Sequence, residues 1–217
     1  MPATSTPDFF SFLGLSRKLG VDTADLEQRY RALSRRFHPD YFYNAPPAER
    51  RASLERSSYL NDAYRTLKKP LSRIEYLLKL ESSGDVPADA RSSDLRAKAE
   101  GASRASGTPA TSPPPAGLLE EVFALNEELD EIRAQRSSGA PPERWKARLE
   151  LARAPIEEKR TEHEAALERL SAEWDALIDR SAGHAEKRRI LDELRERFLE
   201  RNYINNLLAG IERELAS

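Results

Sequence analysis

The chain has 217 residues, 33% of them charged and 7% aromatic, with a formal net charge of -2 and no cysteine. That length admits one or two modest domains, read here as two, and the lack of Cys excludes disulfides and thiolate-held metals and fits a reducing compartment. The first sixteen residues contain neither Lys nor Arg and no apolar run approaches the ~18 residues of a membrane span, so neither a targeting segment nor a membrane partner is expected and a cytoplasmic location is.

Gly and Pro are clustered rather than spread, and the many charges suit polar-faced helices better than a sheet. The expected fold is all-α. Charge is divided unevenly: residues 1–81 carry 14 basic and 10 acidic side chains, residues 118–217 carry 17 and 23. A basic N-terminal part and an acidic C-terminal part point to different partners for each.

In chain order, Leu26, Tyr30, Leu33 and Phe37 recur at spacings of four, three and four, which predicts a helix from about Thr23 to Phe37. Asp22 and Thr23 offer side-chain oxygens as caps, and the polar side carries Arg29, Arg31, Arg35 and Arg36. Pro39 disfavours helical geometry at His38, so the helix ends there and His38-Pro39-Asp40 falls in a loop. Residues Tyr41 to Ala45 continue that loop. Pro46 and Pro47 suit a first helical turn, and Leu60, Ala63 and Leu67 mark the apolar stripe of a second helix.

Residues 82–117 form an Ala/Ser/Pro/Gly-rich stretch that opens on Ser82-Ser83-Gly84 and contains Pro113-Pro114-Pro115, with Val86 and Leu95 the only large apolar residues before Leu118. Such a segment cannot bury a core and is expected to be a flexible linker, with a transient helical turn at Ser93 to Glu100. Helical periodicity returns at Leu118, Val122, Leu125, Leu129 and Ile132, and Ser137-Ser138-Gly139 ends it. Trp145, Leu149, Ala152, Ile156, Leu167, Leu170, Trp174 and Leu177 continue the rhythm, with Lys159 and His163 at seam positions and Pro155 as an expected kink. Ile190, Leu194, Phe198, Leu208, Ile211 and Leu215 form a third seam that drifts in its middle. Residues 118–217 are expected to make a three-helix bundle.

An enzyme reading finds little to rest on. His38, His163 and His184 are far apart, and His163-Glu164-Ala165-Ala166-Leu167 begins like a zinc-protease helix but has Leu167 where the second His is required. There is no Gly-rich phosphate loop and no nucleophile motif, so no catalytic residue, metal or cofactor is expected. The basic helix alone would fit phosphate contacts or a solvated face, and the overall charge argues against nucleic acid. On the helix from Leu118, Leu119 and Phe123 lie about 100° from the seam, near Glu120, Glu127 and Glu131. Periodicity leaves two readings of them, a wide core stripe or an apolar docking strip bordered by carboxylates.

Asp8-Phe9-Phe10-Ser11-Phe12-Leu13-Gly14-Leu15, the basic helix, His38-Pro39-Asp40 and the second helix together resemble a J-domain over roughly residues 8–69. Leu60-Asn61-Asp62-Ala63-Tyr64-Arg65-Thr66-Leu67, followed by Pro70, Arg73, Tyr76, Leu77 and Leu78, narrows the resemblance to the HscB type of iron–sulfur co-chaperone. The resemblance implies a J-domain with its following helix at 1–81, and a scaffold-binding bundle at 118–217. It implies that His38, Pro39 and Asp40, with Arg29, Arg31, Arg35 and Arg36, meet a DnaK/HscA-like ATP-dependent chaperone and stimulate its ATPase. It further implies that Leu119, Phe123, Glu127, Glu131 and Tyr203 hold the iron–sulfur scaffold protein. Tyr41 stands where the family carries Lys, Glu120 where it often has Met, and Ala124 where it often has Glu. A J-protein serving another client, and a helical adaptor that activates no chaperone, are the alternative functions.

Overall fold

The structure is a computed structural model, described here for residues 7–84, 118–139 and 141–216; the side chain of Glu121 is outside the description. The expected linker lies outside the described residues except for Ser82, Ser83 and Gly84, which close a helix. Among the described residues there is no strand, and the architecture is all-α. The helices are α1 (Phe9–Phe12), α2 (Thr23–Phe37), α3 (Pro47–Lys68), α4 (Pro70–Gly84), α5 (Leu119–Ser137), α6 (Pro142–Asp179) and α7 (His184–Ala216), with a 3-10 turn at Pro39–Phe42.

The chain groups into two compact units. The first holds α1 to α4 together with Ser171–Leu191, where α6 turns back into α7. Asp8 starts α1 by accepting the Ser11 N–H at 3.0 Å, and Asp22 starts α2 by accepting the Ala24 N–H at 2.8 Å. Helices α2 and α3 form an antiparallel pair: the Tyr30 hydroxyl donates to Asn61 at 2.8 Å near the middle, while Phe37 lies level with Ser53 and Ser57. Leu26, Leu60, Ala63 and Leu67 are buried, as the predicted stripes require.

Helix α3 ends at Lys68 because Pro70 cannot supply the next N–H, which leaves carbonyls of its last turn without helical partners. The buried Arg73 answers this: its Nε donates to Leu67 O at 2.8 Å and its Nη1 to Leu19 O. Desolvation lowers the pKa of this guanidinium, and the charge of Asp175 opposes that. Tyr76 accepts the Phe9 N–H at 2.9 Å and stacks on the Phe9 ring at 4.3 Å, while Leu77 and Leu78 are buried. The Pro70-to-Leu78 pattern is therefore architectural, tying α4 to α1 and to the chain before α2.

In the same unit the indole of Trp174 is buried and donates to Arg17 O at 2.8 Å. The Asp175 carboxylate accepts the N–H groups of Leu19 and Gly20, both at 2.6 Å, and Lys18 pairs with Asp179 at 2.5 Å. A Cβ at position 20 would lie 2.6 Å from Asp175 Oδ2, so any larger residue than Gly20 displaces this carboxylate.

The second unit is built from α5, α6 up to Leu170 and α7 from Asp192. Its core contains Leu118, Val122, Leu125, Ile132, Trp145, Leu149, Ile156, Ile204, Leu208 and Ile211, with Leu129, Tyr203, Leu207 and Leu215 packed at its edge. Burying such side chains contributes about 1.5–3 kcal/mol each. Arg148 of α6 grips Glu128 of α5 through two bonds of 2.6 and 2.7 Å, and Arg201 of α7 pairs with Glu164 of α6 at 2.9 Å. Each neighbouring pair is antiparallel, so α5 and α7 run parallel. Pro155 sits within α6, which continues on both sides of it.

Candidate functional sites

The first site grows out of the end of α2. Ser53 and Ser57 of α3 both donate their hydroxyls to Phe37 O, at 2.8 and 2.7 Å, closing a carbonyl that the helix leaves open. His38 leaves the helix in extended geometry (φ -61°, ψ 128°) and Pro39 begins the 3-10 turn, so the tripeptide lies between the helices as expected and forms a tight corner there. The Asp40 N–H points to His38 Nδ1 at 3.3 Å, and the Tyr41 N–H donates to His38 O at 3.1 Å. Nδ1 is thus turned to the Asp40 backbone and carboxylate, and Nε2 is the ring nitrogen left to face a partner. The Asp40 side chain is 87% exposed and reachable by a partner's donors, although its Oδ2 lies 3.5 Å from His38 Nδ1.

The four arginines do not share one surface. Arg31 and Arg35 line a shallow groove with Ala24, Glu27 and Gln28 on the outer side of α2, and Arg31 also pairs with Glu27 at 2.5 Å. Arg36 is exposed near the corner, with its guanidinium 5.9 Å from the Phe37 ring centre. Arg29 is turned inward: its Nε donates to both Asp25 oxygens and its Nη1 to Gly14 O at 2.8 Å. It braces the chain after α1, where Gly14 has φ +67° and a Cβ would come 3.0 Å from Arg29 Nη1. Tyr41 and Tyr43, flanking the corner, are exposed aromatic surfaces.

The second site is on α5. Leu118, Val122, Leu125 and Ile132 are buried, whereas Leu119 and Phe123 are 38% and 69% exposed. Arg133, about 40° round α5 from Leu119, reaches Glu214 of α7 at 3.4 Å, so Leu119 lies beside the α7 edge of α5 and Phe123 about 40° further toward solvent. Ten residues back from Arg133 is Phe123, and eleven back from Glu214 is Tyr203. In parallel helices rising 1.5 Å per residue, these two lie at about the same height.

Tyr203 is half-buried against the core edge and Glu127 is exposed on the turn after Phe123. Glu131 accepts from Arg148 of α6 at 2.6 Å, which turns it away from the α7 flank. Glu120 and Ala124 also belong to the other side of α5, lining a groove toward α6 with Arg148, Leu151 and Pro155. The strip read from sequence thus separates: Leu119 and Phe123 lie away from α6 with the exposed Glu127 one turn on, whereas Glu120 and Glu131 lie toward α6.

Ser53, Ser57 and Asp175 went unnoticed in the sequence because their work is to satisfy distant backbone groups, which leaves no periodic signal. Among the described residues no cluster of three or more His, Asp or Glu side chains could hold a metal ion, and no helix is long and apolar enough to cross a membrane.

No protein-family model matches the chain. It is 46% identical over 82 residues to a curated co-chaperone protein HscB homolog of Cupriavidus taiwanensis, a match covering 38% of this chain and 46% of that relative. The chain thus spans about half the length of that relative. Among solved structures, the human co-chaperone protein HscB superposes with a TM-score of 0.52 at 25% identity, covering 96% of this chain and 82% of the other. The chaperone HscB from Vibrio cholerae superposes at 0.50 with 23% identity, covering 95% and 96%, a likeness of fold.

Proposed function

We propose that this chain, an HscB-type co-chaperone by its resemblance in sequence and fold, holds an iron–sulfur scaffold protein on its C-terminal bundle and presents it to a DnaK/HscA-like chaperone. The observation that carries the reading is the corner at His38-Pro39-Asp40, braced by two hydroxyls on Phe37 O and leaving the Asp40 carboxylate exposed. The chain itself catalyses nothing; ATP is hydrolysed by the chaperone.

Arg31, Arg35 and Arg36 supply positive charge beside the corner for an acidic surface of the chaperone. Each exposed pair is worth about 0–1 kcal/mol, so their combined effect is on orientation and association rate. Asp40 then accepts charge-assisted hydrogen bonds from basic groups of the chaperone, His38 adds its ring nitrogen Nε2, and Pro39 keeps both in place. Arg29 acts indirectly, by fixing the chain that α2 packs on. At the other site Leu119, Phe123 and Tyr203 meet apolar side chains of the scaffold and Glu127 meets its cations, while Glu131, paired with Arg148, reaches the scaffold only from the α6 edge of that surface. Release of the scaffold and transfer of its cluster follow hydrolysis.

Calorimetric titration of the full chain with the scaffold tests the second half of the reading. The double variant Leu119→Ser with Phe123→Ser is expected to weaken binding at least about tenfold, since each removes a desolvated apolar contact. Unchanged affinity in that variant would remove the strip from the scaffold site.

A further inference from the structure

Leu199 stands 56% exposed in the interior of α7 and has no place in the core seam. It lies four residues before Tyr203, one turn away on the same side of the helix. The Arg133 and Arg136 pairs with Glu214 put each residue of α5 level with the α7 residue about eighty positions later. Leu199 is then level with Leu119, and Tyr203 with Phe123. A groove of about 220 Å³ lined by Leu129, Arg133, Gly210, Arg213 and Glu214 continues along the same α5–α7 boundary and gives the same register. Among the described residues, three of the four exposed large apolar side chains of this unit, Leu119, Phe123 and Leu199, therefore gather on one side; Leu151 lies toward the α5–α6 groove.

We infer that Leu199 and Tyr203 form the α7 half of the scaffold-docking surface whose α5 half is Leu119 and Phe123. This rests on the function proposed above and names a contact residue which that function does not include. Glu196, three residues before Leu199, and Glu127, one turn after Phe123, are exposed and bracket the four apolar side chains along the groove. An apolar centre closed at both ends by carboxylates is complementary to a scaffold face with an apolar patch between basic side chains. Two helices then share the load, and a surface of that breadth excludes water from its centre better than one helical row does.

Titration of the full chain against the iron–sulfur scaffold protein decides it, with wild type, Leu199→Ser, Leu199→Met and Leu151→Ser compared by calorimetry. Leu199 and Leu151 are both exposed, so unchanged melting temperatures are expected for all three variants. Leu199→Ser is expected to weaken binding about tenfold, Leu199→Met to retain it and Leu151→Ser to leave it unchanged. If wild type binds while Leu199→Ser stays within about twofold of it, the α7 half of the surface is wrong and the proposed function stands. The α7 half is equally wrong if Leu151→Ser loses as much affinity as Leu199→Ser. No binding by wild type would overturn the proposed function, and this contact with it.

Discussion

At the scale of single residues, the proposed activating corner hangs on one carbonyl. Phe37 O ends α2, and the two α3 hydroxyls that reach it also set where His38 leaves the helix. Replacing both Ser53 and Ser57 by Ala leaves that carbonyl poorly satisfied, at a cost of about 1–3 kcal/mol. Either single change should cost much less, because the remaining hydroxyl still donates. Urea denaturation of the two single variants and the double variant checks this; a double variant no less stable than the singles would show that water replaces the hydroxyls. The sequence displayed the tripeptide and the proline that stops the helix, but not this brace. Serine in a helix has many uses, and only the antiparallel register of α2 and α3 reveals which one applies. Arg29 shows the converse: its position on a basic helix does not reveal that it bonds Asp25 and Gly14 O.

At the scale of helices, the periodic seams were the most legible part of the chain. Thr23–Phe37 coincides with the predicted α2, and most residues that recur at threes and fours from Leu118 are buried, although Phe198 is only half-buried and Ile204, outside the predicted seam, is in the core of the second unit. Polar residues at seam positions were harder to read. His163 of α6 and Glu200 of α7 are buried together, with Nδ1 3.3 Å from Oε2 but not aligned for a hydrogen bond, and Arg197 also pairs with Glu200 at 3.0 Å. Burial lowers the His163 pKa, Glu200 and Glu162 oppose this, and Arg197 and Lys159 reinforce it. The unfolded chain therefore takes up a proton that the folded one resists. This costs nothing above the ordinary value near 6.5 and lowers stability as the pH falls from there toward the depressed folded value. Thermal melts between about pH 7 and pH 5 should decline more steeply for wild type than for His163→Gln. Parallel declines would mean that the imidazole is charged within the fold.

At the scale of the molecule, the proposed function puts its two partners on parts of the chain that differ in charge. Residues 1–81, which contain the corner, carry the basic excess, and residues 118–217, which contain Leu119, Phe123 and Leu199, carry the acidic one. Composition revealed that division; it could not reveal that Trp174 and Asp175, a hundred and fifty residues farther on, bond the chain at Arg17 to Gly20. Such contacts depend on where a long helix ends, and no local pattern encodes it. The central claim is that this chain activates a chaperone through Asp40. Steady-state ATP turnover of the DnaK/HscA-like chaperone, with the scaffold present, tests it in wild type and Asp40→Asn. Because the Asp40 side chain is 87% exposed, the variant should keep its melting temperature and its grip on the scaffold. Strong stimulation by wild type and little or none by Asp40→Asn is expected; equal stimulation by both would rule out activation through Asp40.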